Sequence, residues 1–104
     1  MKYTVYQINL TDEQYDNPEL RNIYLDTIMN PDFDAIAKAR DMYEPVADIE
    51  AEAFDHVFEI GNIGPEENIV RKAPMHSISV GDIIVREDGL TKFVAPFGFG
   101  AFAF

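Results

Sequence analysis

Alternation of apolar and polar positions predicts a strand near the start of the chain. Residues 3–10 place Tyr6, Ile8 and Leu10 on one face and Gln7 on the other. A period of two over this length is typical of a half-buried strand. We therefore expect the chain to open with a β-strand.

Two Asn-Pro pairs then predict helix starts, because asparagine caps a helix N-terminus and proline fits its first turn. The pairs are Asn17-Pro18 and Asn30-Pro31, and Glu44-Pro45 predicts the end of the second helix. The apolar stripe of the first helix consists of Leu20, Ile23, Tyr24, Thr27 and Ile28. The stripe of the second helix consists of Phe33, Ile36, Ala37, Ala39, Met42 and Tyr43.

The middle of the chain alternates again and then returns to a helical period. Residues 46–51 predict a short strand with one wet face. Phe54, Val57 and Phe58 form the buried stripe of a predicted third helix, about two turns long. Residues 63–77 contain two prolines and many charges, which predicts a long irregular connection.

The last part of the chain carries a hairpin signal. Val80–Arg86 and Leu90–Ala95 flank Asp88-Gly89, a dipeptide that favours tight hairpin turns. The predicted order is β-α-α-β-α-loop-β-β, which indicates an α+β fold in a single domain over residues 1–104. We expect a small mixed or antiparallel sheet of about four strands with two to three helices on one face.

Composition narrows the class of protein. The chain has 104 residues, of which 47% are hydrophobic, enough for one domain with its own core. Cysteine is absent, which removes disulfides and thiolate chemistry. The chain shows neither the apolar run of a signal peptide nor a stretch of membrane-spanning length, so we expect a cytoplasmic protein with no membrane contact.

Charge is the strongest compositional signal. The chain carries 19 acidic and 8 basic residues, a formal net charge of -11. Residues 1–68 have a net charge of -12 and residues 69–104 a net charge of +1. This balance argues against direct binding to nucleic acid or to anionic lipid, and it places the acidity in the first two thirds of the chain.

Candidate metal and catalytic patterns are weak. Asn30, Asp32 and Asp34 resemble calcium-loop spacing but lack the required glycine, so helix capping explains them better. Glu52, His56 and Glu59 share a helical face and could hold a divalent ion, against the simpler reading of an exposed helix with a local ion pair. His76, Ser77 and Ser79 include no nucleophile-elbow motif, and residues 79–82 read better as a turn that precedes a strand. The glycines match no nucleotide-binding motif, so no catalytic residue, cofactor or metal is predicted.

Three segments carry a family resemblance. Residues 57–67 read Val-Phe-Glu-Ile-Gly-Asn-Ile-Gly-Pro-Glu-Glu, residues 74–84 read Pro-Met-His-Ser-Ile-Ser-Val-Gly-Asp-Ile-Ile, and residues 97–99 read Phe-Gly-Phe. Together they resemble a group of short proteins carried by tailed bacteriophages and mobile elements, and are similar to the YodL-like domain. The resemblance spans residues 46–99. It implies a small accessory or host-interaction protein and supplies no catalytic residues.

Three hypotheses follow for the function. The leading one is a non-enzymatic phage accessory protein that binds a host or defence protein through its acidic surface, as an inhibitor or, in the extreme form, a DNA mimic. The partner could then be a nucleic-acid-binding protein. A second is a homo-oligomeric structural protein, and a third is a metal-dependent enzyme that uses His56 with neighbouring carboxylates. Acidity that serves only solubility is the simpler alternative to a binding face.

Two groups of residues are the candidate contact sites. The predicted partner-binding residues are Asp41, Glu44, Asp48, Glu50, Glu52, Glu66, Glu67 and Asn68. The candidate oligomer residues, which alternatively complete the core, are Phe97, Phe99, Phe102 and Phe104.

Overall fold

A computed structural model describes residues 1–103 of the chain, and over these residues it shows a six-stranded antiparallel sheet with four α-helices. The strands are β1 Lys2–Ile8, β2 Tyr43–Glu50, β3 Ile69–Arg71, β4 Ile83–Arg86, β5 Thr91–Val94 and β6 Phe99–Phe102. The α-helices are α1 Asp12–Asp16, α2 Pro18–Met29, α3 Phe33–Lys38 and α4 Phe54–Ile63. The sheet order is β3-β2-β1-β4-β5-β6, which confirms the α+β class.

Strand β1 lies at the centre of the sheet, hydrogen-bonded to β2 and β4. Its side chains are buried on both faces: Tyr3 and Val5 face one way, and Ile8 the other. Gln7, which the alternation placed on the polar face, is fully buried. Gln7 shares the face of Tyr3 and Val5 in this central strand, and all three of these side chains are buried.

Helices cover both faces of the sheet, whereas the sequence predicted them on one. Helix α4 packs Phe54, Val57 and Ile60 into the core cluster that includes Ile84. Helix α3 packs Ile36 into a second cluster, with strand residues Ile83, Phe93 and Phe102. Since Ile83 and Ile84 are neighbours in β4, the two clusters lie on opposite faces.

The structure adds two strands that the sequence did not predict. Strand β3 lies inside the predicted irregular connection 63–77, and β6 lies inside the aromatic tail. Strands of three or four residues are too short to display a period of two, so the pattern could not reveal them. Helix α1 is also additional, and β2 begins at Tyr43, earlier than predicted, with Pro45 beside an irregularity in the register with β1.

Two local predictions are confirmed. Strands β4 and β5 form the predicted hairpin, and Gly89 adopts the positive φ of 97° that its turn requires. Residues 79–82 form a turn before β4, closed by a bond of 3.1 Å from the Asp82 N–H to the Ser79 carbonyl. Of the predicted stripe of α4, Phe54 and Val57 are buried but Phe58 is 38% exposed.

Candidate functional site

Local hydrogen bonds cap the starts of helices α1 and α2. The Thr11 hydroxyl accepts a bond from the Gln14 N–H at 3.2 Å, and the Gln14 side chain accepts one from the Thr11 N–H at 2.9 Å. The Asn17 side chain accepts bonds from the first N–H groups of α2. These bonds satisfy donors that a helix start leaves free, so they fix where both helices begin.

The same helices bury little apolar surface. Helix α1 has no buried residue, and α2 has one, Thr27. Large apolar side chains remain exposed beside them: Tyr15 at 44%, Met29 at 70% and Phe33 at 52%. Tyr15 and Met29 therefore lie largely outside the core, whereas Phe33 also packs against the core residue Phe102, with 5.2 Å between the ring centres.

Seven exposed carboxylates lie on α1, α2 and the start of α3, and we call them the helical acidic surface. Its members are Asp12, Glu13, Asp16, Glu19, Asp26, Asp32 and Asp34. The one basic residue in this stretch is Arg21, whose guanidinium lies 5.9 Å from the centre of the Tyr15 ring. None of the seven carboxylates forms an ion pair with any residue in the range 1–103. Their charge is therefore directed to solvent.

The predicted partner-binding residues are more strongly engaged within the protein. Asp48 accepts a bond of 2.7 Å from the Thr4 hydroxyl and lies 3.2 Å from the Lys72 ammonium. Its partial burial acts to raise the pKa of the Asp48 carboxyl, but the bonds from Thr4 and Lys72 outweigh this effect and leave the pKa lower than usual. Asp48 is thus anchored in place and its charge is compensated.

Four of the eight predicted residues meet at one place. Asp48, Glu50, Glu67 and Asn68 line an open depression of about 380 Å³ at the β2–β3 end of the sheet. The Asn68 side chain donates to the Glu50 carbonyl at 3.2 Å. The Glu50 carboxylate also lies 2.7 Å from the Met1 amino group, which offsets its charge. The depression is therefore less acidic than its composition indicates.

The other four predicted residues lie apart from the depression. Glu66 forms a two-bond ion pair with Arg71. Asp41 lines a separate groove on the sheet face, and the Glu44 carboxylate accepts a bond from the Asn9 side chain at 3.1 Å. At Glu52, the backbone N–H donates to Nδ1 of the His56 ring at 3.1 Å. The eight residues do not form one continuous surface, and their role in partner binding stays a prediction.

The candidate metal positions have local structural roles. Asp32 caps α3 by accepting the Ala35 N–H at 2.8 Å, so the capping interpretation is confirmed for Asp32. It is wrong for Asn30, which lies at the C-terminal end of α2 and does not cap α3. His56 uses Nδ1 on the Glu52 backbone. Throughout residues 1–103, no group of three histidine or acidic side chains is arranged to hold a metal ion.

A partly buried polar network, centred on the buried side chains of Gln7 and Asp82, joins β1 to the segment before β4. The Gln7 side chain donates to the His76 carbonyl at 3.0 Å and to the Asp82 carboxylate at 2.9 Å, and it accepts the His76 N–H at 3.2 Å. The same Asp82 oxygen accepts the Ser79 N–H at 2.9 Å. Nδ1 of the His76 ring bonds the carbonyl of Ser77 at 2.8 Å, so this ring nitrogen is engaged by the backbone of the same segment.

Sequence reasoning missed this network because Gln7 lies far along the chain from His76 and Asp82, the residues that it contacts. Burial raises the pKa of the Asp82 carboxyl to about 6, although the bonds from Ser79 and Gln7 act to lower it. Burial also raises the pKa of the Tyr43 hydroxyl above its usual range, and the negative charge of Asp82 adds to this shift. The hydroxyl of Tyr43 donates to the carbonyl of Gly81. The only signal in the sequence is Gln7 itself, a polar residue in an apolar strand.

The Asp82 carboxyl predicts a specific dependence of stability on pH. Its folded pKa of about 6 exceeds the unfolded value of about 3.9, so the folded state binds more protons between these values. Stability from this group is therefore greatest below pH 4 and falls by about 2–3 kcal/mol as the pH rises through 6. In Asp82→Asn, which keeps an acceptor oxygen, this fall should disappear. Urea unfolding of both proteins from pH 4.5 to pH 7 measures it, and parallel profiles would contradict the assignment.

Two further observations concern membrane-spanning helices and similarity to known proteins. Over residues 1–103, the helices are too short or too polar for any of them to cross a bilayer. No protein-family model, curated protein or solved structure matches this chain. The likeness of residues 46–99 to the YodL-like domain therefore stays a prediction from the sequence.

Proposed function

We propose that this protein is a non-enzymatic binding protein that recognises a basic surface on a partner protein through the helical acidic surface. The observation that carries the proposal is that seven exposed carboxylates on three consecutive helices form no ion pair among residues 1–103. The likeness of its sequence to phage proteins supports a host or defence protein as the partner.

Electrostatics supports a role in recognition. Carboxylates that are paired within the protein contribute little field beyond it, whereas unpaired carboxylates on one side add their potentials. Such a field speeds encounter with a positively charged groove and disfavours acidic competitors. Screening limits its reach to about 8 Å at physiological salt, so the interaction should be strongest at low salt.

Apolar side chains beside the carboxylates support a contact surface rather than a solubility device. Tyr15, Met29 and Phe33 are each at least 44% exposed on the same helices. Charge that served only solubility would need no exposed aromatic or methionine side chains nearby. Interfaces are enriched in these side chains, because they are desolvated when a partner binds.

A partner that itself binds nucleic acid fits this chemistry best. A groove built for phosphates presents lysine and arginine, and it accepts carboxylates by the same attraction. In this form the protein acts as a DNA mimic, and duplex DNA should displace it from the partner.

The test compares two variants that remove three negative charges each. One is Glu13→Gln with Asp16→Asn and Asp26→Asn, which weakens the helical acidic surface. The matched control is Glu50→Gln with Glu66→Gln and Glu67→Gln, which changes predicted residues that are paired or lie at the depression. A partner retained from host lysate at low salt is purified, and its dissociation constant is measured for all three proteins.

The expected result is that the helical variant weakens binding at least about 10-fold, mainly through slower association, while the control changes it less than about 2-fold. Equal weakening by both variants would show that only net charge matters. A larger effect of the control would move the site to the predicted residues at the β2–β3 end of the sheet. Failure to retain any partner at low salt would refute the proposal.

A further inference from the structure

One aromatic side chain stands almost completely in solvent on an ordered turn. Phe97 is 98% exposed, the largest exposure of any large apolar residue among residues 1–103. The Ala95 N–H donates to the Gly98 carbonyl at 2.9 Å across the turn, and Gly98 takes a φ of 85° that favours glycine. The turn therefore presents Phe97 outward, away from the rest of the protein.

An apolar groove lies directly beside this turn. It has a volume of about 500 Å³ and runs between α4 and the turn. Most of its lining is apolar, including Phe58, Ile78, Val80, Val94, Pro96 and Phe99. The only ionisable group in the lining is Asp55. A groove of this kind accepts an aromatic side chain with little loss of polar hydration.

We propose that a second copy of this chain docks here, with Phe97 of each copy seated in the groove of the other. Pro96 and Gly98, the neighbours of Phe97, line the groove themselves. Because the projecting residue and the groove are adjacent, one twofold rotation brings both contacts together. Such an interface is self-complementary, as closed dimers require.

Charge favours this region over the rest of the surface for contact between identical chains. Each copy carries a formal net charge of -11, so most approaches bring like charges together. Residues 69–104 have a net charge of +1 and supply most of the groove lining. Two copies can therefore meet here with little repulsion.

The structure also distinguishes the roles of the four phenylalanines that the sequence predicted as candidate interface residues. Phe102 is 7% exposed within a core cluster, so it stabilises the fold and is not presented to a partner. Phe99 is half-buried at the groove, and Phe97 is free to insert. Phe104 lies outside the described residues. The dimer is independent of the proposed function, since neither test variant of that proposal changes the turn or the groove lining.

The first experiment measures self-association by sedimentation equilibrium. The wild type should dimerise, and Phe97→Ala should weaken the dimer about 100-fold, because two large aromatic contacts are lost per dimer. The matched control is Met29→Ala, which removes another highly exposed side chain, at 70%, and should leave the dimer unchanged. A wild type that stays monomeric at high concentration, or a dimer that Phe97→Ala leaves intact, would overturn the proposal.

The second experiment tests the reciprocal geometry with two variants. Phe58→Lys places a charge at the groove and should abolish self-association while Phe97 remains. Mixed with Phe97→Ala, it should form a heterodimer that is tighter than either variant alone and weaker than the wild-type dimer, because one intact contact is restored. Absence of that heterodimer would exclude insertion of Phe97 into the groove. Circular dichroism confirms that each variant is folded.

Discussion

Substitution of Gln7 by leucine should lower the free energy of unfolding by about 3–5 kcal/mol at pH 7. The Gln7 side chain is fully buried and makes three bonds, two to the backbone of His76 and one to the carboxylate of Asp82. Leucine fills a similar volume but removes all three bonds, of which the one to Asp82 is buried and the two to His76 are partly buried. The carboxylate of Asp82 would keep the Ser79 N–H as a donor but lose that of Gln7.

The dependence of this loss on pH separates it from a packing effect. Loss of the Gln7 bond should raise the pKa of Asp82 further, because that bond stabilises the charged form. The destabilisation should therefore be smaller at pH 5, where Asp82 is protonated, than at pH 7. Urea unfolding at both values measures it. The control is Gln14→Leu, which removes one exposed helix cap and should cost about 1 kcal/mol at either pH. An equal loss for both variants would contradict the role of the network.

Substitution of Gly81 by alanine should cost about 3–4 kcal/mol and displace the end of α2. Gly81 has a φ of 95°, and a Cβ there would lie 2.5 Å from the Thr27 carbonyl oxygen and 3.0 Å from its carbonyl carbon. Both atoms belong to helix backbone, which cannot rotate away as a side chain could. The clash therefore adds to the strain of the left-handed conformation.

Gly89 provides the matched control for this prediction. Its φ of 97° is nearly the same, but a Cβ there would meet nothing within 4 Å. Gly89→Ala should therefore show the conformational cost alone, about 1 kcal/mol. Urea unfolding gives the stability of both variants, and hydrogen exchange shows whether α2 is released only in Gly81→Ala. If both variants lost the same stability and protected α2 equally, the close approach of Gly81 to Thr27 would contribute nothing to the cost of the substitution.

Features that rest on neighbouring residues could be predicted from the sequence. The Asp88-Gly89 hairpin and the Asn17-Pro18 helix start are examples, since each depends on the conformational preferences of two adjacent residues. Strands β3 and β6 could not be predicted, because their few residues become strands only by pairing with β2 and β5. The burial of Gln7 likewise depends on the central position of β1 in the sheet. The local sequence pattern does not indicate that position.

The candidate site also has one feature that the sequence could predict and one that depends on the fold. Counting charges located the acidity in residues 1–68. The count could not show which carboxylates are compensated, because compensation depends on contacts made in the fold. Asp48 meets Lys72 across the sheet edge, whereas Asp16 and Glu19 meet no cation among the described residues. Lone carboxylates on weakly packed helices could be identified only once those contacts were known.

The central position of β1 has a consequence for folding during synthesis. This strand is synthesised before both of the strands that flank it, since it pairs with β2 through Tyr3 and Ile49 and with β4 through Tyr3 and Arg86. The edge that pairs with β4 therefore remains without hydrogen-bond partners until residues 83–86 have been translated, well after β2 has become available for the other edge. Such segments add to other chains readily, and pairings this distant in sequence form slowly. Because of this topology, β1 must be kept from pairing with other chains until its own partner strands have been made.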